Sequence, residues 1–360
     1  MKILHVIPSY LPATQFGGPV ISTHQLLVAL QRRGHTPRVL TTNLGTSLPS
    51  SVVTRNLDGI DVTYAPTSSN RIAYSEAMTP LANMLCSWAS VVHTHGLFLH
   101  PGPVAADAAI RKRRRCVTSP RGMLMKDAVL YAGTLRKLLW LGAFEFRRLQ
   151  TSVLHFASAF EKTQSEGLGF WGQSSAVIPF GARAVGQSRR PREFTVGYLG
   201  RLSPEKNIEK LLAACEELQV PLIVAGDGSR HYRDSLERQG HGFASFWGKI
   251  SGGVKERFFN AISVLVVPSR FESFGNVVIE AMAHACPVIV SERVGSADVV
   301  AEAGCGFVAP VSSLAPTLRK LRTLPESELH RLGAAGLEYV DSKLTWDRVA
   351  RRFEALYSEV

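Results

Sequence analysis

The feature that most constrains this 360-residue sequence is a strand–helix alternation that runs, breaks once and starts again. Residues 3–7 form an apolar run suited to a parallel strand buried on both faces. Residues 20–32 place Val20, Leu26, Leu27 and Leu30 at helical spacing, and Gly34 stops them. Residues 36–41 and 90–93 read as further strands, 104–112 as a helix and 116–119 as the next strand. Residues 181–193 (GARAVGQSRRPRE) are polar, basic and carry Gly and Pro, which makes them the candidate linker. Beyond it come strands at 195–199, 222–225, 263–267 and 288–291, with helices at 208–217, 276–284 and 346–357. The rhythm predicts an α/β chain of two Rossmann-like parallel-sheet domains, residues 1–183 and 184–345. Residues 346–360 are free to pack back on the first. Two such halves imply a cleft between them, where ligands usually sit.

Composition narrows the class. A hydrophobic fraction of 45% with 19% charged residues describes a globular chain with ample core. No stretch approaches the roughly 18–20 apolar residues that span a bilayer, and the opening MKILHVIPSY reads as a buried strand, not a signal peptide. Cys86, Cys116, Cys215, Cys286 and Cys305 are odd in number and widely spaced, which suggests buried free thiols in a reducing cytosol. The net charge of +12 is lopsided. Residues 1–180 hold 18 Lys/Arg against 8 Asp/Glu, and residues 181–360 hold 23 against 21. A negatively charged partner surface would exploit that asymmetry.

Chemistry concentrates in residues 263–280 (SVLVVPSRFESFGNVVIE). A strand ends at Pro268, a loop follows, and a helix starts near Gly275 and Asn276, so its N-terminus offers free N–H groups to a phosphate. Glu280, inside the helix, has the two acceptor oxygens that suit the vicinal diol of a ribose. Glu272, in the loop, sits where a sugar hydroxyl could be held. An isolated E-x7-E pair is common on solvated surfaces, but this one follows a strand and encloses F-G-N at a helix start. Residues 197–207 (GYLGRLSPEKN) add Arg201 and Lys206 after another strand, two cations able to neutralise a pyrophosphate.

Three segments together resemble the retaining glycosyltransferases of family four, which have the GT-B fold: GRLSPEKN at 200–207, GDG at 226–228, and PSRFESFGNVVIEAMA at 268–283. The resemblance runs over nearly the whole chain. It implies a hexosyltransferase-type enzyme in which Arg201 and Lys206 hold the donor pyrophosphate, Glu272 meets the transferred sugar and Glu280 meets the ribose. Gly226 and the main chain around Phe274, Gly275 and Asn276 would complete the donor pocket. Gly17 and Gly18 open the first predicted helix. They read as a plain turn or, by the resemblance, as a loop touching the donor. The segment VVHTHG at 91–96 carries two histidines, and the resemblance puts His95 near the transferred sugar. A zinc reading lacks a third ligand within motif spacing. SPRGML at 119–124 places Arg121 where the family has histidine, a tentative acceptor contact. IPFGAR at 178–183 departs from the family pattern at Phe180 and Arg183, and no role is carried over there.

The acceptor expectation is a glycan, lipid-phosphate-linked in the working form, and the setting is bacterial surface polysaccharide assembly. RKRRR at 111–115 reads as a solvated helix end or an anion-facing patch. Around residues 131–149, Arg136, Lys137, Arg147 and Arg148 stand beside Leu138, Leu139, Trp140 and Phe144, which suits either core packing or docking on an anionic membrane from the cytoplasmic side. No D-x-D occurs, so no metal is expected, and with the nucleotide-sugar as donor substrate no other cofactor is expected either. A nucleic-acid binder would want a recognised module, and an NAD-dependent oxidoreductase would want G-x-G-x-x-G after the first strand. Neither signature is present. A catalytically silent nucleotide-sugar binder differs from the enzyme in turnover alone.

Overall fold

The computed structural model describes residues 1–169, 174–186 and 193–359, so residues 187–192 of the candidate linker lie outside the described residues. The chain divides into two compact units, Met1–Phe180 with Trp346–Val360, and Gly181–Thr345. The division falls slightly ahead of residue 183, and the last helix belongs to the first unit.

The first unit is built on an eight-stranded sheet. Its strands are β1 (Lys2–Val6), β2 (Thr36–Thr42), β3 (Val53–Leu57), β4 (Ile60–Ala65), β5 (Val91–His95), β6 (Arg115–Ser119), β7 (Val153–Phe156) and β8 (Ser175–Val177), in the order β3-β4-β2-β1-β5-β6-β7-β8. All neighbours are parallel except β3 and β4, which pair antiparallel around Asp58 and Gly59. Both turn residues have positive φ (51° and 83°), the demand of a two-residue hairpin turn, which Asp-Gly meets at little cost. The central strand explains its own apolar run. Ile3 packs into a core that includes Leu26, Leu30 and Phe353, while Leu4 and Val6 face a second core with Cys86 and Ala105. Every residue of such a strand has a buried face to fill.

The final helix, Trp346–Glu359, buries Val349, Ala350, Phe353, Leu356 and Tyr357 along one stripe. At roughly 1.5–3 kcal/mol for each large apolar side chain taken from water, that stripe is a substantial share of the unit's stability. Arg33 grips it by a two-pronged contact with Glu354 (2.6 and 2.8 Å) and a further one with Asp347 at 3.0 Å.

The second unit has a six-stranded parallel sheet. The strands β9 (Val196–Leu199), β10 (Leu222–Ala225), β11 (Ala244–Gly248), β12 (Val264–Val267), β13 (Val288–Val290) and β14 (Gly306–Val308) lie in the order β11-β10-β9-β12-β13-β14. Strand order reverses direction between β9 and β12. The loops that leave these two strands must part there and leave a crevice at the carboxyl ends.

The segment around residues 131–149 is not one helix. Helices Lys126–Tyr131, Thr134–Trp140 and Phe146–Thr151 are separated by a break and by a π-helical turn at Leu141–Glu145. The extra residue per turn swings Glu145 inward, where it pairs with Arg148 at 2.8 Å. Arg148 is thus a buried strut, donating also to Thr94 Oγ1 and the Gly96 carbonyl, and not the surface cation its sequence neighbours suggest. The apolar face is not all core either. Leu135 and Leu139 are 73% and 65% exposed, and Leu130, Tyr131, Phe144 and Phe146 are exposed with them.

Candidate functional site

The switch point of the second sheet gathers the two sequence-predicted loops. After β9 the chain turns through Pro204–Lys206, and Asn207 takes a left-handed φ of 55° before helix Ile208–Leu218. Asparagine tolerates that conformation, and its side chain then ties the loops together. Asn207 Nδ2 donates to the Pro268 carbonyl at 3.1 Å, and Arg270 Nε donates to Asn207 Oδ1 at 3.0 Å. Arg270 N donates to the Glu205 carbonyl at 2.8 Å. The stitched loops place Lys206 Nζ 3.1 Å from Glu272 Oε2, and Ser269 Oγ donates to the same oxygen at 3.0 Å. The backbone of Glu272 is fixed from the β13 side, with its N–H on the Arg293 carbonyl and its carbonyl on the Gly295 N–H.

Gly275, at φ 85°, turns the chain into helix Asn276–Ala283. Any Cβ there would sit in the left-handed region and 3.1 Å from Val294 Cγ1. No side chain caps this helix, which leaves its first N–H groups for a ligand. Beside it, Ser296 Oγ is buried and has no hydrogen-bond partner among the described residues. Phe274 is itself buried, so what it presents is main chain, and its carbonyl accepts from Ser296 N at 2.9 Å. Glu280 lies further along the helix with its Oε2 2.5 Å from Lys255 Nζ, a partner on helix Gly253–Ala261 that the sequence reading did not single out. Arg201 is exposed and makes no side-chain hydrogen bond or ion pair with a described residue. Gly226 and Gly228 are forced by packing. A Cβ on the first would overlap the Gly200 carbonyl and on the second the Leu202 carbonyl, because the loop after β10 is laid directly against the end of β9. The Leu202 N–H donates to the Asp227 carbonyl at 2.9 Å and seals that contact.

In the first unit, Gly17 (φ 80°) opens helix Gly18–Arg32 with open space around it and no side-chain cap. His95 is 1% exposed, and both its ring nitrogens are engaged. Nε2 lies 2.8 Å from His5 Nδ1, and Nδ1 faces Arg121 Nη2 at 3.1 Å. The ring therefore holds Arg121, and direct contact with a sugar through either nitrogen would require breaking one of these bonds. His5, His93 and His95 offer ring nitrogens within 4.8 Å of one another, closer to a metal trio than the sequence spacing implied. All of them are tied into hydrogen bonds with side chains. Burial drives the rings neutral, pushing His5 and His155 down to about 3 and His93 and His95 well below the usual histidine value.

Residues 193–324 match the family model described as glycosyl transferases group 1, and residues 17–181 match the glycosyl transferase 4-like domain. A GDP-mannose-dependent alpha-mannosyltransferase of Mycolicibacterium smegmatis is 33% identical over 46% of this chain and 43% of its own length. The capsular polysaccharide biosynthesis glycosyltransferase CapM of Staphylococcus aureus is 27% identical over 46% of each. The chain thus spans less than half the length of these relatives. Among solved structures, Anabaena HepE in complex with UDP and glucose superposes with a TM-score of 0.77 over 100% of both chains at 17% identity, a likeness of fold.

Proposed function

We propose, for a chain that belongs to the family-four type of glycosyltransferases and has the GT-B fold, that its second unit binds a nucleotide-sugar donor. The enzyme then passes the sugar to a glycan acceptor with retention of configuration. The observation that carries this reading is the Lys206–Glu272 pair at the switch point, beside an uncapped helix start and an unpartnered buried hydroxyl. On donor binding the pair divides its work. Lys206 and the exposed Arg201 turn to the diphosphate, Glu272 to hydroxyls of the sugar, and Glu280 to the ribose.

In the transfer, the bond from the anomeric carbon to the diphosphate oxygen breaks and a bond to the acceptor oxygen forms on the same face. The acceptor proton leaves with the departing phosphate. The two cations and the helix start stabilise the growing negative charge, and the reading requires no divalent ion.

The first unit takes the acceptor, with Arg121 as a contact, and a lipid-phosphate-linked glycan fits its excess of cations. Exposed Leu130, Leu135, Leu139, Phe144 and Phe146 stand beside Arg136 and Arg147, a surface suited to the anionic cytoplasmic face of a membrane. Among the described residues no helix is long and apolar enough to cross it. The relatives make surface polysaccharide assembly in bacteria the setting we favour, and nucleic acid is not among the proposed partners. The test is a thermal-shift screen of nucleotide-sugars followed by transfer or hydrolysis of the best binder. Stabilisation without turnover would leave a silent binder, and no stabilisation by any nucleotide-sugar would end the proposal.

A further inference from the structure

A chain of buried side chains crosses the carboxyl ends of the first sheet from Arg121 to the Ile178 carbonyl, and its hydrogens can run in only one direction. His155 Nε2 lies 2.8 Å from the Ile178 carbonyl, which can only accept, so Nε2 carries the hydrogen. A neutral His155 then accepts at Nδ1, and Ser119 Oγ must donate to it across 2.6 Å. Ser119 in turn accepts from His93 Nε2 at 2.7 Å. That leaves His93 Nδ1 as acceptor for the Tyr357 hydroxyl, also at 2.7 Å. Tyr357 accepts from His5 Nε2 at 3.3 Å, His5 Nδ1 accepts from His95 Nε2 at 2.8 Å, and His95 Nδ1 is left with a lone pair. Each tautomer forces the next. The chain ends by presenting an acceptor to the guanidinium of Arg121.

Arg121 is held from several sides. It donates to His95 Nδ1, to Thr23 Oγ1 at 2.9 Å and to Ser22 Oγ at 3.3 Å, and it stacks 4.3 Å over the Phe180 ring. Its backbone sits at φ 58°, a costly conformation for any residue but glycine, of the kind kept at functional sites. Every partner is neutral. Among the described residues no carboxylate lies within ion-pair distance of it, and the acidic neighbour Glu161 spends its oxygens on the Gly122 and Ala157 N–H groups. Burial lowers the guanidinium to about 10, far enough above neutrality to keep the charge. Glu161 supports the charge only through space, so this partly buried cation has no contacting counter-charge among the described residues and gains from one that a ligand supplies. Among the described residues, at least one Nη1 hydrogen has no partner.

We propose that Arg121 is the specificity-determining residue for the acceptor, receiving an oxyanion carried by the acceptor sugar, and that Tyr357, acting through His5 and His95, is the positioning residue that aims it. This rests on the glycosyltransferase reading, because it makes the first unit the acceptor's side. The proton chain is a fixed scaffold. No proton needs to travel along it.

The test uses the full chain and four probes: sodium glucuronate, glucose 6-phosphate, glucose and inorganic phosphate. Arg121 side-chain NMR signals, assigned with Arg121→Lys, should move with glucuronate or glucose 6-phosphate, which should bind at least tenfold more tightly than glucose. The two charged sugars separate a carboxylate from a phosphate, and free phosphate alone binding as well as either would overturn recognition of a sugar. Equal response to glucose would overturn it too. In Tyr357→Phe the charged-sugar affinity should fall severalfold, with the His5 and His95 ring-nitrogen signals altered. In the unsubstituted protein all four rings should be neutral and protonated on Nε2, and any Nδ1-protonated ring among them would refute the aiming role. UDP binding, measured alongside, should be untouched by either substitution. Loss of UDP binding in the parent protein would count against the donor proposal and leave the Arg121 result to stand or fall by itself.

Discussion

Lys206 Nζ and Glu272 Oε2 lie 3.1 Å apart, with side chains 17% and 23% exposed, and each is the other's ion partner in the absence of a ligand. In a pair this far withdrawn from water the desolvation cost offsets much of the attraction, so its net contribution to stability is small, about 1 kcal/mol. Lys206→Ala should therefore leave the melting temperature almost unchanged. Its effect should fall on the chemical step, since removing one group that stabilises developing negative charge typically costs about 10²–10³-fold in rate. Steady-state turnover of the best nucleotide-sugar, with a melting curve alongside, checks both halves.

Glu280→Ala should weaken nucleotide binding about tenfold, a loss of about 1.4 kcal/mol. Lys255→Ala should change it less than about twofold, because Lys255 competes for the carboxylate that the ribose would use. Titration of UDP or GDP into each variant measures the difference. Equal losses would make Lys255 part of the binding site.

Gly226→Ala tests the backbone, not the chemistry. The added methyl would overlap the Gly200 carbonyl, and φ 143° is already outside the range L-residues adopt readily. We expect a loss above about 3 kcal/mol or failure to fold, read by urea denaturation.

Acid should unfold the first unit early. His5, His93, His95 and His155 all titrate below their unfolded value of 6.5, two of them near 3. Above pH 6.5 neither state carries the protons, and stability is at its full value. As pH falls below 6.5 the unfolded chain takes up protons that the folded chain refuses. Each ring then costs about 1.4 kcal/mol per pH unit until its folded value is reached. Melting temperature followed from pH 7.5 to 5 should drop progressively below 6.5, and a flat profile would contradict the neutral-ring assignment.

Leu135→Glu with Leu139→Glu should abolish flotation with vesicles containing phosphatidylglycerol at low salt while leaving the melt within about 1 kcal/mol, because both side chains already face water. Unchanged flotation would exclude this face from docking.

Much of the architecture could be read from the chain because buried parallel strands announce themselves. The strands at residues 3–7 and 222–225 needed no context beyond their apolar runs. The β3–β4 hairpin is harder to read, although Asp58 and Gly59 are the very pair such a turn favours. Its outer strand is polar and exposed, so no hydrophobic pattern points to it. Helical periodicity around residues 131–149 does not reveal the π-turn at Leu141–Glu145, and so does not reveal the burial of Arg148. In the candidate donor loops the residue types and order were visible, but Lys255 was not, since a lysine on a helix surface looks like any other. The histidine chain was the least legible part. His5 and His93 are register partners on adjacent strands, Ser119 stands beside His95, and Tyr357 arrives from the far end of the sequence. Only the folded register brings them into line.

Because the first unit borrows its closing helix from residues beyond the second, the ribosome makes the two in nested order. All of Gly181–Thr345 has been synthesised before Phe353 and Tyr357 exist to plug the earlier core. The nascent chain must therefore carry an open, unfinished half through the folding of a finished one. Trimming a dozen residues from the tail would leave the later half intact and the earlier half without its keystone.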